Sequence, residues 1–191
     1  MIKDPKFLIT EDMIEKCTEF ANNSVGTSTG QYSKRGQFNV EKIEKDIKIG
    51  KLGEFGVYNK LLELYPQLTS PDTNIYSKGN KNWDADLKDR DAGISIGVKT
   101  QSVEQGALYG ESWVFQSEDK GIFGKDIGDG HYVAFVSLNL PKMVGEIRGI
   151  VKVPWLIAND LFKPMKLAHL TSKRAVYMDD LKVFKDQLWQ L

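Results

Sequence analysis

Ile43, Ile47, Gly50, Glu54, Val57 and Leu61 recur at steps of 4, 3, 4, 3 and 4. That spacing places all six on one face of an α-helix. Phe55, Tyr58 and Leu62 widen the stripe into a broad apolar band. Asn39 is placed to cap the start of this helix, which reaches about Leu64, before Pro66. A helix of this length with one greasy face must lie against something apolar. Glu54 sits within the stripe, and an ionised carboxylate buried there alone costs at least several kcal/mol. A metal ion, a cation or its own proton has to meet it. A lysine partner at the core edge explains an isolated inward glutamate as well as a function does. Gly50, one turn earlier, costs about 1 kcal/mol relative to alanine. It permits close approach of backbone or ligand near Glu54, or eases helix packing.

An earlier helix is predicted from Thr10, with Glu11 and Asp12 in its first turn, to about Ala21. The polar stretch from Asn22 to Gly30 reads as a linker or loop. After Pro71 the pattern becomes alternating, with short strands expected at 74–77, 83–87, 94–101, 113–116, 132–138 and 146–153. The glycine-bearing segment 117–130 is expected as a long loop. Pro154 opens a short helix, 175–177 forms a last strand, and Asp179 caps a C-terminal helix. Helices first and strands in hairpins after argue for α+β or α/β with a mixed central sheet flanked by helices. Residues 1–38 form an N-terminal helix and flexible segment, and 39–191 the main domain.

The composition narrows the chemistry. Cys17 is the only cysteine, and His131 and His169 are the only histidines. No disulfide, CxxC zinc site or iron–sulfur cluster follows, and zinc chemistry on several histidines is disfavoured. A metal site here would be built from oxygen, which suits Mg²⁺ or Mn²⁺. Lys+Arg and Asp+Glu balance at 26 each, so a nucleic-acid partner would need a local basic face. No apolar run approaches the ~20 residues of a membrane span, and the N-terminus lacks a signal-peptide core. A cytoplasmic location is expected.

Chemistry concentrates on a predicted hairpin. In Trp83-Asp84-Ala85-Asp86-Leu87, strand alternation projects Asp84 and Asp86 from one face. In the strand from Ile94 to Gln101, Ile94, Ile96 and Val98 alternate with Ser95, Gly97, Lys99 and Gln101. The hairpin therefore brings two aspartates beside a lysine and an amide, and Glu54 joins them if the long helix covers that surface. A solvated hairpin with a cross-strand Asp–Lys pair accounts for the same pattern.

At these residues the chain resembles the PD-(D/E)xK, or restriction-endonuclease-like, nuclease superfamily. Lys51 to Tyr58 looks like the family's first helix, with Glu54 as its acid. Asp86 matches the motif aspartate, and Gly97-Val98-Lys99-Thr100-Gln101 the (D/E)-x-K strand. The resemblance spans about residues 39–140, and the Gly-Lys-Leu-Gly-Glu and Val-Lys-Thr-Gln wording is also similar to phage and bacterial nuclease-like proteins. It departs at Gly97, where the family has Asp or Glu. Asp84, Glu54 or Gln101 would have to stand in. The resemblance implies a restriction-endonuclease-like core and Mg²⁺-dependent hydrolysis of DNA phosphodiesters, with Mn²⁺ as substitute. Glu54, Asp86 and the Val98 carbonyl would hold the ion, with Asp84 as a further ligand. Lys99 would assist the attacking water, and Gln101 would position the lysine, water or phosphate. Lys34, Arg35, Lys78, Lys81 and Lys88 are candidates for phosphate contacts. Cutting both strands would favour a homodimer, with the first 38 residues as one means of forming it. The alternative is a nucleic-acid-binding module that keeps the fold and has lost cleavage.

Overall fold

The computed structural model describes residues 2, 4–34, 36–76, 85–116, 123, 127–166 and 173–191. Helix α1 (Glu11–Lys34) starts where the Thr10 hydroxyl accepts the Met13 amide at 3.2 Å. Helix α2 (Val40–Leu61) starts where Asn39 accepts the Lys42 amide at 2.9 Å. The expected linker at 22–30 is a correction: α1 runs straight through it. Cys17, Ala21 and Ser24 are buried at helical spacing, and α1 packs along α2. Packing of that face outweighs the weak helix propensity of the Asn, Ser, Thr and Gly residues between.

Five strands form a mixed sheet in the order β1-β6-β5-β3-β2. They are β1 (Lys6–Leu8), β2 (Leu87–Asp89), β3 (Ile94–Ser102), β5 (His131–Asn139) and β6 (Val144–Lys152). β3 and β5 run parallel and the other neighbours antiparallel. Between β3 and β5 the chain makes a short helix α3 (Val103–Tyr109) and the strand β4 (Ser112–Gln116). β4 belongs to a second, antiparallel sheet with β8 (Lys173–Tyr177) and β7 (Lys163–Pro164). Two short helices, α4 (Val153–Ala158) and α5 (Met178–Leu181), follow β6 and β8. The fold is α+β, with the mixed sheet between the long helices and the smaller sheet.

The pleat of the large sheet decides which side chains face which layer. Ile94, Ile96 and Val98 on β3, with Tyr132, Ala134, Val136 and Leu138 on β5, share one core with Ile49, Leu52, Val57 and Leu61 of α2. Phe7 from β1 and Met13 and Cys17 from α1 belong to the same core, so the first 38 residues contribute to it directly. Val133 and Phe135, on the other face, pack with Trp113, Phe115 and Val176 from the second sheet. Trp113 and Phe115 are 1% and 0% exposed, which makes them core residues, as their alternation suggests. The buried face of α2 is broader than the predicted stripe: Ile43, Val57 and Leu61 of the stripe are buried, and Ile49, Leu52, Gly53 and Gly56 are buried beside them. Close approach falls at Gly53 and Gly56 rather than Gly50. A Cβ at Gly53 would meet the Thr100 hydroxyl and one at Gly56 the Phe7 ring, whereas at Gly50 it meets none of the described residues within 4 Å.

Other predicted elements shift. Residues 74–76 form no strand, while Ser77, Trp83 and Asp84 lie outside the described residues. The second strand is shorter and later than expected, at Leu87–Asp89. Asp179 lies in the first turn of α5 rather than capping it, since the capping position is Tyr177 with no side-chain bond.

Candidate functional site

Asp86 stands where a strand ladder gives out. The pairing of β2 with β3 ends at Leu87 opposite Ile96, and one residue earlier the side chain takes over from the main chain. Asp86 Oδ2 accepts the Val98 amide at 2.7 Å. The direction of the Val98 carbonyl follows. Ser95 donates its amide to Gly130 on the β5 side at 2.8 Å, so the even-numbered peptide groups of β3 face the β2 edge. In a strand the N–H and C=O of one residue point the same way. The Val98 carbonyl therefore points to the edge where Asp86 sits.

Glu54, on α2, lies within electrostatic range of Asp86. Its side chain is 13% exposed, and its carboxyl is pushed up to about 8, chiefly by burial and next by the charge of Asp86. Lys51 opposes that rise through a contact of 2.5 Å from Nζ to Glu54 Oε2. Lys51 is itself 8% exposed. Its ammonium also donates to the Asp72 carbonyl at 2.8 Å and lies 4.8 Å from the centre of the Phe20 ring. The segment that supplies Asp72 is ordered by its carboxylate, which accepts Tyr76 Oη at 2.6 Å and the Asn74 amide at 2.9 Å. Burial, then the Glu54 charge, pushes the Cys17 thiol up to about 12, so it stays a protonated, unreactive thiol.

The structure thus brings together Glu54, Asp86 and Val98. It separates the remaining two central candidates from the helix. Lys99 and Gln101 alternate with Val98 and Thr100 and project from the face of β3 opposite α2. This corrects the expectation that the long helix covers the polar side of the hairpin. The physical reason is plain, because an amphipathic helix buries its apolar face on the Ile94, Ile96 and Val98 side. The Lys99 ammonium lies 5.1 Å from the centre of the Phe115 ring. Gln101, 9% exposed, donates to the Gly110 carbonyl at 3.2 Å and accepts the Ser112 amide at 3.0 Å. It clamps the turn from α3 into β4, which is a structural task.

Asp84, Arg35, Lys78 and Lys81 lie outside the described residues, and Lys34 is the last residue of α1. Lys88 lies in β2, its backbone bonded both ways to Thr69 at 2.9 and 2.7 Å. His131 is structural, its Nδ1 accepting the Gly128 amide at 3.1 Å. Among the described residues no cluster of three or more His, Cys, Asp or Glu side chains is positioned to hold a metal ion. No described helix is long and apolar enough to cross a membrane.

Two features escape a reading of the sequence alone. One is Lys51, whose signal was its spacing of three residues from Glu54, which brings helical neighbours together. The other is Arg148, the extra residue of a bulge where Val136 faces Ile147 and Phe135 faces Gly149. It pairs with Glu146 at 2.7 Å and Glu111 at 2.8 Å, and Ser137 donates to Glu111 at 2.7 Å. Its signal was a charge interrupting the apolar alternation of β6.

The donor set at the β3 edge is two carboxylates and a carbonyl. A hard dication such as Mg²⁺ accepts such a set, since it keeps several waters and needs few protein ligands. Soft or nitrogen-seeking metals have nothing to bind here. No protein family, no curated protein and no solved structure matches this chain.

Proposed function

We propose that the chain is a Mg²⁺-dependent nuclease of the restriction-endonuclease-like kind, acting on DNA. One pairing supports the reading: Glu54, buried on α2, lies close enough to Asp86 to feel its charge, and the Val98 carbonyl points to the edge where Asp86 sits. Burial and the Asp86 charge act against ionisation of Glu54, so a further positive charge beside the two carboxylates would favour it. A dication held by Glu54, Asp86 and the Val98 carbonyl would supply that charge, stabilise a phosphate as it is attacked and acidify a water. Asp86 is oriented by its bond to the Val98 amide, and Glu54 by Lys51. The protein atoms at the edge are therefore fixed before substrate arrives, as charge stabilisation requires. Lys99, on the adjoining face, is within the reach of a long side chain for a phosphate that straddles the edge.

Two observations favour the alternative, a nucleic-acid-binding module of the same fold that has lost cleavage. Gly97 lacks the expected acid, and Lys51 already occupies an oxygen of Glu54. The experiment is nicking of supercoiled plasmid and of branched DNA with Mg²⁺ or Mn²⁺. Loss of nicking in Asp86→Ala and Glu54→Gln, by 100-fold or more, supports the enzyme. Purified protein that binds DNA yet cuts neither substrate supports the module. A homodimer and a cytoplasmic setting accompany the nuclease reading, and a sedimentation measurement tests the first.

A further inference from the structure

Lys51 is buried, which is rare for a lysine without a task, and three separate elements converge on its ammonium. Glu54 meets it from the same helix, the Asp72 carbonyl from the segment before β2, and the Phe20 ring from α1. A hydrophobic side chain of equal length would fill the same space at no electrostatic cost. On the outer side of Phe20 a groove of about 400 Å³ opens, lined by Lys16, Phe20, Phe55, Pro71, Thr73 and Ile75 among others. Phe20 thus joins the buried Lys51 ammonium to an opening at the surface.

We propose that Lys51 is a working residue of the site: it competes with the divalent ion for the Glu54 carboxylate and, once displaced, turns its charge to the substrate phosphate. This rests on the nuclease reading above. The competition follows from geometry, because ammonium and dication seek the same oxygens of one carboxylate. Before the ion arrives, Lys51 keeps Glu54 partnered and aimed at Asp86. After it arrives, the ammonium retains the Asp72 carbonyl and the Phe20 ring as anchors, and one of its three N–H groups becomes free for an anion.

The test compares the wild-type protein with Lys51→Met and Lys51→Arg. Mn²⁺ binding is followed by the electron spin resonance of the free ion, and cleavage by single-turnover nicking. The double variant Lys51→Met/Glu54→Gln, checked by thermal melting, shows whether the position tolerates an uncharged pair. The expected result has opposite signs: Lys51→Met binds Mn²⁺ at least threefold more tightly yet cuts at least tenfold more slowly, and Lys51→Arg recovers part of the cutting. A purely structural lysine gives loss of both, and weaker or unchanged Mn²⁺ binding with slower cutting overturns the proposal while the nuclease stands. Tighter Mn²⁺ binding in Lys51→Met with no cutting by the wild type leaves only the competition standing, and the nuclease reading falls with the phosphate role. No Mn²⁺ binding by the wild type overturns both.

Discussion

The buried acid on α2 makes stability depend on pH in an unusual direction. Most carboxylates in folded proteins are held below their ordinary range and stabilise the fold as pH rises. Glu54 is held above it, from 4.5 to about 8, by burial first and by Asp86 second. The folded chain keeps this proton over a range in which the unfolded chain has released it. The stabilisation is therefore complete below pH 4.5, declines as pH rises towards 8, and is gone above that. At 1.36 kcal/mol per pH unit, the interval sets a ceiling of about 5 kcal/mol. Stability typically totals 5–15 kcal/mol, so even half of this ceiling would be easy to measure. Urea unfolding at half-unit steps from pH 4.5 to 9 isolates the contribution when wild type is compared with Glu54→Gln, whose amide imitates the protonated acid. The wild type should lose several kcal/mol relative to the variant across the interval, with the difference level above pH 8. Asp86→Asn should narrow the interval from its upper end by removing the neighbouring charge. A difference that stays flat, or a wild type that gains on the variant with rising pH, refutes the reasoning. It would mean that Lys51 holds the carboxylate ionised despite burial.

A dication that binds the ionised form should reverse this loss. Mn²⁺ at about 100 times its dissociation constant stabilises by about 2.7 kcal/mol, and the effect should be larger at pH 8 than at pH 6 and absent in Asp86→Ala, as read from melting curves. Among the described residues, a Cβ at Gly97 meets only the Tyr132 carbonyl, at 4.0 Å. Gly97→Asp should accordingly fold and raise Mn²⁺ affinity about tenfold, consistent with one added carboxylate ligand; unchanged affinity would remove position 97 from the site. Gly53→Ala places a methyl group against Thr100, whose buried hydroxyl has no hydrogen-bond partner. It should cost about 1–3 kcal/mol by overpacking, with partial recovery in Gly53→Ala/Thr100→Ala, and Thr100→Ala alone should be nearly neutral in urea unfolding.

What was legible in the sequence follows the strength of the local signal. Asn39 and Thr10 cap their helices as expected, because a side-chain oxygen at a helix start has one task. The strands at 94–102, 131–139 and 144–152 were visible because each carries a long alternating or apolar run. The helicity of the polar stretch at 22–30 comes from packing of α1 on α2, a contact that no local pattern encodes. The breadth of the buried α2 face has the same origin. α2 has α1 on one side and the sheet on the other, so a single stripe was too simple a description. Glu54 stands out in the sequence as an acid in a greasy stripe and Asp86 as an acid of an alternating segment, although the strand itself begins one residue later, at Leu87. Lys51 does not stand out until its burial is known.

The error over Lys99 and Gln101 bears on how the site could operate. Side-chain period alone fixes Lys99 and Val98 on opposite faces, so no helix packed on one face can gather both. The only place open to both is the strand's edge. Asp86 marks that edge by ending the ladder with a carboxylate instead of an amide and carbonyl. At that edge main-chain and side-chain oxygens can be presented together in the plane of the sheet. A phosphate bound at that edge would have Lys51 and Glu54 on its helix side and Lys99 on the other. Substitutions on the two faces should therefore combine more than additively if the edge is the working position. They should combine additively if only one face is used, as expected for groups that share no partner.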